Sequence, residues 1–102
     1  MKSIIQTSDD RCFNCHAAMG TETHHIFGGP NRSTCDADGL TVRMCHQCHD
    51  AIHFDRDKSG PMMERYHKLG QVQWESYFGR ELEQQGKDVR EAFRERYGKN
   101  YL

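Results

Sequence analysis

Hydrophobic and polar residues alternate in two short stretches of the first half of the chain, residues 21–27 and 40–44. The first stretch contains β-branched and aromatic residues at alternate positions, and the second places its apolar residues on one side. A period of two is typical of a β-strand that buries one face. The sequence therefore predicts a β-hairpin, whose long connection, residues 28–39, is rich in turn-forming residues and indicates a loop.

A helical period follows the second stretch. A helix is predicted to begin near Cys48. Its apolar side consists of Ala51, Ile52 and Phe54 and is expected to pack on the hairpin. At the start of the chain, residues 3–7 form a β-like run that is either a short strand or a frayed tail.

The second half of the chain is predicted to form a helical extension over residues 61–98. Apolar side chains recur at steps of three and four residues, and Pro61 suits the first turn of a helix. This period predicts an amphipathic helix whose apolar stripe faces the core. Gly79 and Gly86 are expected to interrupt it.

A last helix is expected after these glycines. Residues 88–91 resemble a capping box, and Gly98 suits the position just past a helix end. The basic residues along this helix either contact a nucleic-acid backbone or form an ordinary solvated face, and the second interpretation is favoured. The final two residues, Tyr101 and Leu102, are apolar and are expected to dock.

Composition limits the size and environment of the domain. The chain has 102 residues, 35% of them hydrophobic, and a formal net charge of −1. A chain of this length forms at most one domain, and small polar domains often add a metal or disulfides to a limited core. Its apolar runs are too short for a signal peptide or a membrane span, which predicts an intracellular, reducing setting. The net charge does not by itself indicate a nucleic-acid partner, although a bound divalent ion adds local positive charge.

Four of the five cysteines form two close pairs, Cys12 with Cys15 and Cys45 with Cys48. Two such pairs are a strong signature of a four-cysteine zinc site. Zinc held by four thiolates is closed and tetrahedral, so this ion is predicted to stabilise the fold and not to perform chemistry. A disulfide or redox role is the alternative, and His46 is an adjacent donor that could replace one cysteine.

Four histidines interleave with the cysteines. His49 and His53 stand four residues apart, hence on one helix face and able to share one ion. His24 and His25 lie on opposite faces of the first predicted strand, yet near the strand end both can approach one cleft. The residue after His49 is Asp50, so the H-E-x-x-H motif of zinc metalloproteases is absent.

Three polar residues outside these sets are candidates for a phosphate-handling site. Arg32 and Arg43 are candidates for steadying a phosphate, and Asn31 for orienting a histidine. The alternatives are a turn asparagine and solvated arginines.

A strand ending in His-His, a loop, a second strand and a helix with His-x-x-x-His resemble the HNH nucleases over roughly residues 12–54. Residues 24–29 and 98–102 are similar to stretches of small phage and prophage HNH proteins. The resemblance implies an α+β fold in a single domain, residues 1–102. In it a small ββα-metal (His-Me finger) core with a four-cysteine zinc site carries C-terminal helices over residues 61–98.

The resemblance also implies roles for the histidines. His25 becomes the general base, and His24, His49 and His53 become the ligands of a catalytic divalent ion, namely Mg²⁺, Mn²⁺, Ni²⁺ or Zn²⁺. The four cysteines match the structural zinc site of the zinc-knuckle members of the family.

One position departs from the family pattern. The middle residue of HNH proteins, usually Asn or His, falls here at Gly39 and Leu40. Either a backbone carbonyl or Asn31 is therefore expected to orient His25.

The function implied by the resemblance is metal-dependent hydrolysis of DNA phosphodiester bonds in the cytoplasm of a bacterial host. The implied partners are DNA, contacted at the minor groove, and other phage DNA-processing or packaging proteins; no membrane is involved. The alternative is a non-catalytic zinc-binding module for nucleic acid or protein, which leaves the four histidines without a role. A zinc hydrolase of another class is disfavoured because no acidic base motif accompanies the histidines.

Overall fold

The two predicted strands pair in antiparallel orientation in the computed structural model, which describes residues 1–7, 10–18 and 20–102. Strand β1 spans Thr21–His25 and strand β2 spans Thr41–Cys45. Within these described residues, the sheet and four helices form a small α+β domain. This confirms the prediction that the fold class is α+β.

The strand register fixes which side chains share a face of the sheet. His24 lies opposite Val42, and both side chains are buried. His25 is the next residue of β1 and therefore belongs to the opposite face. Strand β1 ends at His25, earlier than predicted, because Ile26 and Phe27 leave the strand and enter the core, where each is 1% exposed.

Helix α1, Arg32–Asp38, occupies most of the connection that was predicted to be a loop, so that prediction was wrong. The turn-forming residues mark its ends. Pro30 lies in a short 3-10 turn, Gly29–Asn31, that leads into the helix. Gly39 ends the helix with a left-handed φ of 73°, which glycine adopts without strain.

Helix α2, His46–Phe54, begins directly after β2 and slightly before the predicted start. Ile52 is fully buried beneath it, as expected for the packing side. Phe54 was expected on the same side, but it is 78% exposed. Phe54 is the last residue of α2 and lies beyond the part of the helix that covers the sheet.

The C-terminal extension contains helix α3, Ser59–Gln84, and helix α4, Val89–Tyr97. Gly79 does not interrupt α3 but lies within it, against Val89 of α4. Asp88 caps α4 by accepting a hydrogen bond from the backbone N–H three residues later, at 2.9 Å. Gly98 ends α4 with a φ of 85°, as predicted.

An aromatic cluster joins the helices to the end of β1. The Phe27 ring lies 4.9 Å from the rings of Tyr97 and Tyr101 and 5.2 Å from that of His67. The predicted docking of the C-terminus is thus confirmed for Tyr101, whereas Leu102 remains 43% exposed. The chain end therefore packs directly beneath the segment that follows the His24–His25 pair.

The N-terminal segment is neither a strand nor frayed. Residues 4–6 form bends, and this segment hydrogen-bonds to β2 and to Gly39 just before it. The Ile4 N–H donates to the Gly39 carbonyl at 2.8 Å, and the Gln6 side-chain carbonyl accepts from the Arg43 N–H at 2.7 Å. A Cβ at Gly39 would collide with the Lys2 carbonyl, so this glycine serves both the helix end and the close approach of the N-terminus.

Candidate metal centres

The four paired cysteines converge in space, and we refer to them as the cysteine cluster: Cys12, Cys15, Cys45 and Cys48. Their sulfur atoms all lie within 4.8 Å of one another. The first pair lies in a turn before β1, while the second joins the end of β2 to the first turn of α2. The four cysteines lie close enough to hold one structural metal ion such as zinc.

Local hydrogen bonds shape the first half of the cysteine cluster. The Cys12 N–H donates to the Ala17 carbonyl, and the His16 N–H donates to the Cys12 carbonyl at 2.8 Å. His16 closes this turn with a left-handed φ of 66°, which is unusual for a residue other than glycine. Burial opposes ionisation of Cys12, but backbone N–H groups, those of Cys15 and Cys45 first, lower its pKa to about 6. A thiolate is the form that binds a metal.

Asn14 links the cysteine cluster to α3. Its side-chain N–H donates to Cys48 Sγ at 3.4 Å, while its carbonyl oxygen accepts from the Tyr66 hydroxyl at 2.7 Å. A neutral N–H donor beside a thiolate reduces charge density on the sulfur, and such outer contacts orient metal ligands. Asn14 was not identified from the sequence, although it lies between two predicted ligands.

Three of the four predicted histidines also converge, and we refer to His24, His49 and His53 as the histidine cluster. Their candidate ligand nitrogens lie within 4.8 Å of one another. The His24 ring projects from β1 to within 5.3 Å of His49 and 5.5 Å of His53, centroid to centroid. His49 and His53 lie one helical turn apart on α2, as their spacing predicted.

His24 provides a test of whether these residues fit a cation. The residue is 2% exposed, and among the described residues its Nε2 has no hydrogen-bond partner. An unpaired buried nitrogen costs about 1–3 kcal/mol, which a bound metal ion would remove. The donor set of three imidazoles therefore fits a divalent transition-metal ion.

Burial and neighbouring charges favour the neutral form of His24 and His53. Burial, followed by the charges of His49 and His53, lowers the pKa of His24 to about 3. Burial also lowers the pKa of His53, and the charges of His49 and Arg32 lower it further. Neutral imidazole is the form that coordinates a metal, so these rings need not lose a proton to bind one at neutral pH.

Glu22 was not identified from the sequence, yet it contacts the histidine cluster. One of its carboxylate oxygens lies 3.1 Å from His49 Nδ1. A carboxylate on one ring nitrogen leaves the other free as a ligand and fixes the ring orientation. In the sequence, this contact is indicated by the position of Glu22 two residues before His24, which places both residues on the same face of β1.

His25 lies outside the histidine cluster and has a different neighbour. Its Nε2 is 2.8 Å from Oδ1 of Asp36, on α1. The Asn31 side chain, one of the two candidates for orienting His25, donates instead to the Tyr97 carbonyl at 3.1 Å. Asp36 lay in the predicted loop, where nothing in the sequence distinguished it from a turn aspartate.

The two candidate arginines occupy different environments. Arg32 begins α1, is exposed, and lies near enough to His53 for its charge to lower the His53 pKa. Arg43 lies on β2, and its guanidinium donates to the Thr21 and Thr23 hydroxyls of β1 at 3.0 and 2.6 Å. Arg32 is therefore the better-placed cation beside the histidine cluster.

Comparison of the chain with protein-family models, with curated proteins and with solved structures finds no match. Of the helices in the described part of the chain, none combines the length and apolar character that a membrane span requires.

Proposed function

We propose that the chain is a metal-dependent DNA endonuclease of the HNH type, with a ββα-metal core formed by β1, β2 and α2. One observation carries the proposal. The three nitrogens of the histidine cluster converge, and one of them, His24 Nε2, is buried and has no hydrogen-bond partner in the described part of the chain. His25, a histidine outside the cluster, directly follows His24 in the chain.

The chain's own residues supply the remaining parts of a hydrolytic site. His25 accepts a proton from the attacking water, a task suited to imidazole at neutral pH. Arg32, exposed at the start of α1, binds a non-bridging phosphate oxygen. A divalent ion held by the histidine cluster supplies Lewis-acid stabilisation at the scissile phosphate. Asn31 donates to the Tyr97 carbonyl of α4, and Arg43 on β2 donates to the Thr21 hydroxyl of β1, so both support the site without contacting the phosphate.

The cysteine cluster serves the fold in this proposal. Four thiolates leave no open coordination position, so a zinc ion there performs no chemistry. The alternative function is a non-catalytic zinc module that binds nucleic acid or protein. The cysteine cluster suits both functions. The alternative gives no role to the buried His24 nitrogen, which has no hydrogen-bond partner among residues 1–7, 10–18 and 20–102 and lies beside two further histidines.

The proposed substrate is DNA, contacted mainly through its backbone, with the exposed end of α2 near the minor groove. The formal net charge of −1 means that the attraction must be local, at Arg32 and the bound ion. Other phage DNA-processing or packaging proteins as partners, and a cytoplasmic location in a bacterial host, stay predictions.

A plasmid-nicking assay with added Mn²⁺, Mg²⁺, Ni²⁺ or Zn²⁺ tests the proposal. We expect His25→Ala to reduce cleavage roughly 10²- to 10⁴-fold, the usual contribution of a general base. Its zinc content and melting temperature should match those of the wild type. Gln84→Ala is the control, because Gln84 is an exposed residue of α3 outside both ligand clusters.

Two outcomes would contradict the proposal. A wild-type protein that cuts no DNA with any of the four ions would exclude the nuclease. Cleavage by His25→Ala at the wild-type rate would exclude His25 as the base while leaving the nuclease itself in place.

A further inference from the structure

The contact between His25 and Asp36 has the geometry of a histidine held by a carboxylate. His25 Nε2 and Asp36 Oδ1 are 2.8 Å apart, and the His25 side chain is 17% exposed. In HNH proteins an Asn or His usually orients the base histidine. The corresponding position here holds Gly39 and Leu40, neither of which has a polar side chain. The only side-chain partner found for the His25 ring among the described residues is Asp36.

We infer that Asp36 is the positioning residue of His25, and that it makes Nδ1 the atom that accepts the proton. The inference rests on the proposed function, because it assigns the orientation of the proposed base. In neutral His25 only one ring nitrogen carries a proton. A carboxylate at Nε2 accepts a hydrogen bond from that nitrogen, which leaves the lone pair on Nδ1.

Helix α1 holds Asp36 at this place although the carboxylate itself is 65% exposed. The residues on both sides of it fix the helix. Cys35 is fully buried, and its sulfur contacts the Phe27 carbonyl. Asp38 is anchored by Trp74 Nε1 at 2.9 Å and by the Tyr97 hydroxyl at 2.7 Å. Asp36 therefore approaches His25 from a rigid element and not from a mobile loop.

With His25 held by Asp36, the site can hydrolyse a phosphodiester with water. Water gives one proton to His25 Nδ1, and the resulting hydroxide forms a bond to phosphorus. The bond between phosphorus and the leaving 3′-oxygen breaks, and that oxygen takes a proton from solvent. His25 then carries a proton on each nitrogen, and the Asp36 carboxylate stabilises this cation, as an acidic partner does for other catalytic histidines.

The test combines spectroscopy without DNA and kinetics with DNA. In ¹⁵N–¹H spectra of the zinc-loaded wild type, we expect the His25 Nε2 proton to exchange slowly and Nδ1 to be unprotonated. Asp36→Ala should lose the slow exchange. It should also lower kcat for plasmid nicking about 10- to 100-fold with KM nearly unchanged, because the substrate contacts remain. Asp36→Glu should retain more activity than Asp36→Ala.

Asp57→Ala is the matched control, since Asp57 is an exposed aspartate in the turn after α2. It should keep both the spectrum and the rate. A wild-type Nδ1 that carries the proton would overturn the inference, as would Asp36→Ala cutting at the wild-type rate or faster. In those cases the nuclease still stands. A wild type that cuts no DNA removes the proposed function, and with it the role of Asp36 in positioning the base.

Discussion

Cys48 and His49 are consecutive residues of α2, yet they belong to different ligand clusters. Cys48 lies in the cysteine cluster and His49 in the histidine cluster. The first turn of α2 follows β2 without a connecting residue, so any shift at Cys48 displaces His49 as well. The two clusters are therefore mechanically coupled through one helical turn.

The first prediction follows from this coupling. Cys45→Ser should lose zinc and unfold or strongly destabilise the domain, because structural zinc contributes roughly 10 kcal/mol or more to folding. It should also weaken metal binding at the histidine cluster. Melting temperature, zinc stoichiometry and titration of a second metal measure these effects.

Cys35→Ala is the control for that experiment, because Cys35 is a buried thiol outside the cysteine cluster. It should keep the full zinc content while losing the packing of its sulfur and the contacts of that sulfur with the Phe27 backbone. Unchanged zinc content and melting temperature in Cys45→Ser would disprove the structural zinc site.

The second prediction concerns Glu22, whose carboxylate lies 3.1 Å from His49 Nδ1. Glu22→Gln should weaken metal binding at the histidine cluster roughly 10- to 100-fold, the usual effect of removing an outer partner of a metal ligand. Isothermal titration with Mn²⁺ or Ni²⁺ measures the affinity. Glu83→Gln, an exposed glutamate on α3, is the control and should bind as the wild type does. Equal affinities in all three proteins would show that Glu22 does not support His49.

Local spacing was sufficient to predict the close pairs within both ligand clusters, whereas the place of His24 beside His49 and His53 was implied by the family resemblance. Two residues between paired cysteines and three between His49 and His53 fix each pair within one turn, whatever the rest of the fold does. The strands were predictable for the same reason, because alternation is a local property. Helix α1 was not, because its glycine, proline and aspartate residues are typical of a loop and only its burial against α3 and α4 reveals a helix.

The outer partners could not be predicted because the fold brings them from a distance in sequence. Glu22 reaches His49 across 27 positions, and Asn14 reaches Cys48 across 34. Asp36 is only 11 positions from His25, but the contact depends on the unpredicted helix. Arg43 shows the opposite case, since the antiparallel register places it beside Thr21 and Thr23, away from the phosphate role first assigned to it.

The third prediction is a pH dependence of stability that originates at Asp38. Burial opposes its ionisation, but hydrogen bonds from Arg96, Tyr97 and Trp74 outweigh burial and lower its pKa. A lowered pKa means that the stabilisation is complete above the ordinary aspartate pKa of about 4 and is lost as the pH falls through the lowered value. Asp38→Asn should therefore reduce the free energy of unfolding by about 2 kcal/mol at pH 7.

Denaturant unfolding of wild type and Asp38→Asn across the acid range measures this effect. The difference between the two should shrink as the pH falls below 4, because wild-type Asp38 then becomes neutral too. Zinc content is measured in each sample, and only pH values at which both proteins hold the same amount of zinc are compared. The control is Asp57→Asn, at an exposed position, which should stay within about 0.5 kcal/mol of wild type. A difference that stays constant with pH would show that the Asp38 charge contributes nothing.

The fourth prediction concerns Gln71, a fully buried amide of α3 that holds the C-terminal segment. Its carbonyl accepts from the Tyr101 N–H at 2.7 Å, and its N–H group donates to Asn100 Oδ1 at 2.7 Å. Gln71→Met keeps the side-chain length but leaves the Tyr101 N–H without that acceptor. We expect a loss of about 1–3 kcal/mol, the cost of unpaired buried polar groups.

The loss of stability in Gln71→Met should extend to the proposed active site. Tyr101 packs on Phe27 at 4.9 Å, and Phe27 follows His25 by two residues, so release of the C-terminal segment loosens the end of β1. Faster hydrogen exchange at the Tyr101 amide and at Ile26, whose N–H donates to the Leu40 carbonyl, would report this in Gln71→Met. Gln84→Met, an exposed glutamine of the same helix, should leave both amides unchanged. Faster exchange at Tyr101 alone would mean that the C-terminal segment covers the aromatic cluster without supporting the histidine strand.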